Sequence, residues 1–333
     1  MESSKLFFGL SLCAFVLAYS VVVLGAYVRL SDAGLGCPDW PGCYGKLVVP
    51  ADVNEVGAGL KPAAGQLHRG KAWKEMIHRY AAGTLGMVIF LLAFLAWRGR
   101  HRPGRALAVP ALLAGLVVFQ AMLGMWTVTL LLKPVVVMGH LIGGFTILAL
   151  LYWLVIGQLP SLRNATPRPR KLLPWVAAGL LVLAVQIFLG GWTSSNYAAL
   201  ICPEFPTCRG GEWLPTMDFK EAFILWRGTG INYEGGVLDA AGRTAIHISH
   251  RIGALLAFLV LSALVLRTLT LPGRPLRMTA AVLALALLLQ VSLGIANILH
   301  VLPLPVAVAH NAVAALLLLC LVTLLHFSLQ NPD

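Results

Sequence analysis

The sequence predicts an all-α integral membrane protein, with eight transmembrane helices arranged as two pseudo-symmetric four-helix bundles. Three observations lead there. Of its 333 residues, 59% are hydrophobic and 11% charged, well below the roughly 25% charge of a soluble domain. The hydrophobic residues fall into eight long runs, at about 6–28, 74–97, 106–130, 135–157, 173–194, 243–266, 278–299 and 305–327. Each is near the roughly 20 residues that cross a hydrocarbon core. Finally, the second half of the chain repeats the first.

The first run follows Lys5 and precedes Arg29-Leu30-Ser31-Asp32 without a small-residue cleavage site. It reads as a retained helix and not as a removed signal peptide. The loops between runs then alternate in charge. Arg98, Arg100, Arg102 and Arg105 share one short loop, Arg163, Arg168, Arg170 and Lys171 a second, and Arg267, Arg274 and Arg277 a third, with no Asp or Glu among them. The two long loops, about 29–73 and 195–242, mix both signs. Positive charge collects on the cytoplasmic side, which places both termini inside and both long loops outside. The net charge of +12 therefore reports topology and contact with anionic lipid, and no nucleic-acid partner is expected.

The repeat is read from matched residues. An offset of 165 brings Cys37 onto Cys202, Cys43 onto Cys208 and Gly25 onto Gly190, while His78/His250 needs 172 and His140/His310 needs 170. Each half holds an even number of crossings, so the halves are parallel repeats about an axis along the membrane normal. The boundary falls in the basic, proline-containing stretch near 158–172, giving domains 1–160 and 161–333. Four-helix bundles build cofactor sites from side chains on facing helices. Gly83, Gly86, Gly143, Gly144 and Gly253 suit either close helix packing or room for a flat macrocycle.

Four histidines stand about two turns inside the even-numbered helices: His78, His140, His250 and His310. Gln120 and Gly124 lie twenty and sixteen residues before His140, as Gln290 and Gly294 do before His310. All four histidines share one depth, roughly 7–10 Å below the outer boundary at 1.5 Å per residue. A buried histidine costs free energy in hydrocarbon, and haem iron commonly takes axial histidine. Each half can thus hold one haem between two imidazoles. The bland alternative, a hydrogen bond to a neighbouring helix, fits one such histidine better than four in register. Zinc or copper would need further ligands at that depth. His68, His101, His300 and His326 lie in loops or near helix ends.

Arg79 and Arg251 directly follow two of these histidines. They suit haem propionates or an interfacial position reached by snorkelling. Glu75 precedes His78 by one turn on the same face, and its counterpart is His247. It is either a working carboxylate or an interfacial charge among headgroups. Its presence in one half alone suggests one pocket for chemistry and one for a resident cofactor. Cys37-Pro38-Asp39-Trp40-Pro41-Gly42-Cys43 and Cys202-Pro203-Glu204-Phe205-Pro206-Thr207-Cys208 are one motif twice. Both fall in outer loops where disulfides persist, as staples or, if strained or exposed, as redox pairs. Cys13 and Cys320 sit inside helices and read as packing.

With these residues the chain resembles the haem A synthase family over essentially its whole length. The resemblance rests on the duplicated eight-helix plan, the G-x-G-C-P-D-W-P-x-C loop from Gly34 to Cys43, the E-x-x-H-R of Glu75 to Arg79, and one histidine in each even helix. It implies oxidation of a ring methyl of haem O to a formyl group, giving haem A for haem-copper oxidase assembly. The substrate haem would lie between His78 and His140 with Glu75 as the essential carboxylate, and haem b between His250 and His310. Cys37–Cys43 would be the pair tied to activity or haem transfer, with Cys202–Cys208 a second pair. The location implied is a bacterial inner membrane. Partners implied are haem O synthase and oxidase assembly; the sequence names no electron-transfer partner and admits a homo-oligomer. Two other classes share parts of the pattern: a di-haem electron-transfer cytochrome, which needs no Glu75, and a quinone-linked thiol oxidoreductase, which needs no haem.

Overall fold

A computed structural model describes residues 2–56, 67–100, 107–159 and 169–329. Eight helices in it are long and apolar enough to cross a membrane. They are α1 (Glu2–Leu30), α2 (Arg69–Arg98), α3 (Ala108–Thr129), α4 (Pro134–Gly157), α5 (Leu173–Ser195), α6 (Ala240–Leu269), α7 (Arg274–Leu299) and α8 (Leu304–Leu329). No strand occurs among the described residues, only two isolated bridges in the cysteine loops. His101, Arg102, Arg105, Arg163, Arg168 and most of the predicted linker lie outside the described residues.

The chain punctuates these helices with proline. Pro134, Pro174 and Pro275 stand in the first two positions of α4, α5 and α7, where the missing N–H costs no hydrogen bond. Large apolar side chains remain exposed along the helices, including Met87, Leu181, Leu266 and Leu285, each about two-thirds exposed. Such surfaces suit lipid and not water. The sequence reading placed the starts of the second and sixth runs at 74 and 243, whereas α2 and α6 begin at Arg69 and Ala240. The first turn of α2 carries Arg69 and Lys71 and that of α6 begins Ala240-Ala241-Gly242, so hydropathy misses both while backbone bonding does not.

Packing follows the repeat. In the first half α1 meets α2 and α4, and α3 meets α2 and α4; in the second, α5 meets α6 and α8, and α7 meets α6 and α8. Across the halves α1 meets α8, and α4 meets both α5 and α8. One apolar core joins Leu183, Leu261, Leu283 and Leu321; another joins Leu85, Leu113, Leu148 and Leu319. The second core therefore draws on α8. That helix is also the most enclosed, with 67% of its apolar window buried against 17–33% for the others.

The repeat extends to the turns. α3 passes to α4 through Leu131 and Leu132 at φ 52° and 60°, and α7 passes to α8 through Val301 and Leu302 at φ 57° for both. Left-handed backbone is uncommon for such residues. Each turn is closed by a backbone bond, Leu132 N to Thr127 O at 2.8 Å and Leu302 N to Asn297 O at 2.7 Å. The second cysteine loop also reaches over the first half, where Tyr233 N donates to Leu131 O at 3.0 Å and Lys133 Nζ donates to Gly228 O. Lys133 also stands 3.4 Å from the ring centre of Trp226, a cation–π contact.

Candidate functional site

All four predicted histidines open onto one cavity of about 1840 Å³ that runs through both halves. Ligand pockets typically measure about 300–1,000 Å³, so this one has room for two large molecules. His78 and His140 face one another with ring centres 6.4 Å apart and planes at 76°. A metal–imidazole bond of about 2 Å and a further ~1 Å from ring nitrogen to ring centre put two axial imidazoles about 6 Å apart. The distance suits a single iron between them. His250 and His310 lie within electrostatic reach of each other in the second half.

Each histidine is set by a glycine on the neighbouring odd-numbered helix. A Cβ added at Gly25, Gly124, Gly190 or Gly294 would lie 3.1, 3.3, 3.1 or 3.2 Å from Cε1 of His78, His140, His250 or His310 respectively. Those contacts are tighter than ordinary packing allows, so glycine is what lets helix backbone lie against the ring face. Gly83 also lines the cavity and has open space where its side chain would be. The Nδ1 atoms of His78, His140 and His310 are buried without a partner. Buried polar atoms in native proteins nearly all have partners, so these rings have unused bonding capacity, and the residues that carry them line a cavity. That combination fits a bound metal macrocycle.

Above the rings, Glu75 is 5% exposed, which sets aside the reading of a charge among headgroups. Its Oε2 accepts from Cys37 N at 2.9 Å and its Oε1 pairs with Arg79 Nη2. Arg79 Nη1 donates to the carbonyls of Asp39 (2.9 Å), Pro41 (3.3 Å) and Gly42. The carboxylate, the arginine and the first cysteine loop form one buried unit. Charge-assisted bonds of this kind are the strong ones.

The second half repeats the unit with a neutral partner. His247 Nε2 accepts from Arg251 Nε at 2.9 Å, and its Nδ1 lies 2.9 Å from Ala198 O. A backbone carbonyl only accepts, so Nδ1 carries the hydrogen and His247 is uncharged. Arg251 then donates to the carbonyls of Pro206 (3.3 Å), Thr207 (2.8 Å), Cys202 (3.1 Å) and Glu204 (2.7 Å). Its five N–H groups are all engaged. Both arginines line the cavity, but what they hold is loop backbone, a role with no signature in the sequence.

The loops are closed by the disulfides Cys37–Cys43 and Cys202–Cys208. The acidic residue of each motif caps its own loop. Asp39 accepts from the N–H groups of Tyr44 (2.5 Å) and Gly45 (2.8 Å). Glu204 accepts from those of Gly210 (2.8 Å) and Gly211 (3.0 Å) and from the Thr207 hydroxyl (3.0 Å). Those bonds hold the Glu204 carboxyl below the ordinary carboxylate range. Outside the site, Cys320 is buried but Cys13 is exposed on α1, so interior packing does not account for Cys13. His326 packs edge-on against Trp153.

Sequence reasoning passed over Gln186, whose Nε2 stands 3.0 Å from His250 Nδ1. The available signal was a polar side chain in a hydrocarbon-length run, one turn before Gly190.

Comparison with known proteins agrees with this architecture. The family model for COX15-CtaA, described as cytochrome oxidase assembly protein, matches residues 9–322. A protein named Heme A synthase from Shewanella oneidensis is 45% identical over 310 residues, covering 92% of this chain and 92% of its own length. A protein of the same name from Methylobacterium radiotolerans is 30% identical, with 90% of this chain and 83% of the relative covered. Another, from Rhizorhabdus wittichii, is 28% identical, with 92% and 89% covered. With a model match over nearly its whole length and a relative at 45% identity, the chain belongs to the COX15-CtaA family of cytochrome oxidase assembly proteins.

Proposed function

We propose that the chain is a haem A synthase that oxidises a ring methyl of haem O to a formyl group, giving haem A for a terminal oxidase. Residues 1–160 take the substrate haem between His78 and His140. Residues 161–333 hold haem b between His250 and His310. The observation that carries this reading is one difference between two matched pockets. Both have a histidine pair, ring-facing glycines and an arginine under a disulfide loop, but Glu75 stands where the other has His247. A pocket that only passes electrons has no use for a buried carboxylate.

When bound, haem b supplies electron transfer next to the substrate, chemistry that belongs to the cofactor. The chain's own residues position and protect. His78 and His140 grip the substrate from two sides, and Gly25 and Gly124 let helix backbone close on their rings. As electrons leave the substrate, Glu75 stabilises the positive charge that develops and takes up the proton released with them, and Arg79 fixes where the carboxylate points. The loop from Cys37 to Cys43 is seated on both residues and adds Trp40 and Pro41 to the cavity wall.

The basic residues Arg98, Arg100, Arg170, Lys171, Arg267, Arg274 and Arg277 flank the helix ends opposite the cysteine loops. That distribution supports cytoplasmic termini in a bacterial inner membrane, with both disulfides outside. Haem O synthase supplies the substrate in this reading and oxidase assembly consumes the product. The test is replacement of the second histidine pair. His250→Ala and His310→Ala should each remove a low-spin haem b spectrum while the protein stays in the membrane. Retention of that spectrum in both variants sinks the assignment.

A further inference from the structure

The two halves also differ at one position on the helix that faces each first histidine. Gly25 of α1 and Gly190 of α5 are equivalent, each lying against an imidazole at the same distance. One turn earlier, on the same helix face, α1 carries Val21 and α5 carries Gln186. Gln186 Nε2 lies 3.0 Å from His250 Nδ1 and donates to the His250 carbonyl at 3.1 Å, while its Oε1 is buried without a partner. His78 has no such neighbour, and its Nδ1 is unpartnered. Both Val21 and Gln186 line the cavity. Gln120 and Gln290 occur in both halves but differ in contact: Gln120 donates to the His140 carbonyl, whereas Gln290 Nε2 stands 3.2 Å from the His310 ring Nε2.

We propose that Gln186 is the positioning residue that makes the second-half haem a permanent occupant, and that Val21 leaves the first-half ligand free to let its haem come and go. The inference rests on the assignment of haem b to His250 and His310. A ligating histidine binds metal through one nitrogen and gives the N–H of the other to an acceptor, which fixes the ring and raises its basicity. Gln186 sits at Nδ1 of His250, so Nε2 is the nitrogen left for iron and Nδ1 then carries the hydrogen. With Nδ1 carrying the hydrogen, the Gln186 amide turns to present Oε1 to it, exchanging its Nε2 bond to the His250 carbonyl for one to the ring. The two ends of an amide are nearly the same shape, so the turn needs no new space. Valine offers neither acceptor nor donor. A glutamine inside a hydrocarbon-spanning segment is costly unless bonded, and here its bonds go to the ligand. A protein that keeps one haem and exchanges another needs an unequal hold on two matched sites. Of the two second-half glutamines that reach a ligand ring, Gln186 is the one whose first-half counterpart, Val21, has no polar atom to offer.

The test uses the full-length protein, purified in detergent with its haems, as wild type and as Gln186→Val, Gln186→Glu and Val21→Gln. Transfer to excess apomyoglobin reads release of each haem, and redox titration of the low-spin signals reads ligand basicity. Gln186→Val should release haem b about 10–100-fold faster, the usual loss on removing such a partner, and should raise its midpoint potential. Gln186→Glu should retain haem b and lower its potential, a rescue that a space-filling role would not give. Val21→Gln should slow release from the first half. If Gln186→Val loses both haems, Gln186→Glu decides: retention with a lowered potential supports the proposal, and loss overturns it. Wild-type release and potential in both Gln186 variants overturn it as well. The haem b assignment itself fails separately, through an unchanged spectrum in His250→Ala and His310→Ala.

Discussion

Glu75→Gln separates the structural role of this side chain from its chemical one, because the second half already contains the control. Glu75 is buried, accepts from Cys37 N and pairs with Arg79. Glutamine keeps the length and one acceptor oxygen but loses the charge. A hydrogen bond to a charged group contributes about 1.5–3 kcal/mol against about 0.5–1.5 for a neutral one, so loss of the charge alone weakens the unit by roughly 1–2 kcal/mol, and the new NH2 adds a donor–donor contact with Cys37 N or Arg79 Nη2. The loop is still closed by a disulfide and still held by three carbonyl contacts from Arg79. Arg251 keeps its own loop with only neutral His247 beside it, so the fold tolerates an uncharged partner. Glu75→Ala is harsher, because it takes away the acceptor of both Cys37 N and Arg79 Nη2. Loss of a working acid or base lowers a rate by about 10²–10⁴-fold, far beyond what a slightly looser loop explains. The assay is extraction and chromatography of haems from membranes that also contain haem O synthase. Glu75→Gln and Glu75→His should accumulate haem O with little haem A, while the Cys37–Cys43 bridge stays as slow to reduce as in wild type. Normal haem A from both variants would refute the reasoning and leave Glu75 a loop clamp only.

Three further outcomes follow from the same geometry. An impermeant thiol reagent applied to intact cells after reduction should label Cys37, Cys43, Cys202 and Cys208; labelling only after the membrane is broken would invert the topology. Gly190→Val should abolish the second-site haem signal, because a Cβ alone lies 3.1 Å from the His250 ring, whereas Gly115→Ala, with open space, should be silent. The hydrogen bonds that depress Glu204 stabilise the second loop fully above the ordinary carboxylate value, and this is lost as pH falls through the lower folded value. Reduction of Cys202–Cys208 by a phosphine should therefore quicken on acidification, and Glu204→Gln should remove that step; a pH-independent rate in wild type would count against it.

The eight crossings and the repeat were legible because hydrocarbon length and residue spacing are local properties of the chain. The four histidines were legible for the same reason, as costly residues in register. The first turns of α2 and α6 were not, since Arg69 and Lys71 depress hydropathy in one and Ala240-Ala241-Gly242 adds little to it in the other. The role of the arginines stayed hidden for a different reason. Arg79 finds its acceptors 37–40 residues away and Arg251 finds its own 44–49 away, contacts that depend on how each loop folds back. Pattern reading marked both arginines as special and offered haem propionates or the interface, not loop carbonyls. Gln186 is the opposite case: its departure from the repeat was visible beside Val21, but only the contact to His250 gave it meaning. The bond from Tyr233 to Leu131, across the halves, had no sequence signal at all.

The central claim is that one chain holds two haems in unequal sites, one resident and one under conversion. It is tested most directly by extracting and quantifying the haems of the purified full-length protein after co-expression with haem O synthase. The account predicts haem b together with haem O and haem A, with haem b lost and haem O retained unconverted in His250→Ala, and the O-type and A-type haems alone lost in His78→Ala. Haem b in both sites, with no haem O or haem A under any of these conditions, would contradict it and leave a di-haem electron-transfer protein.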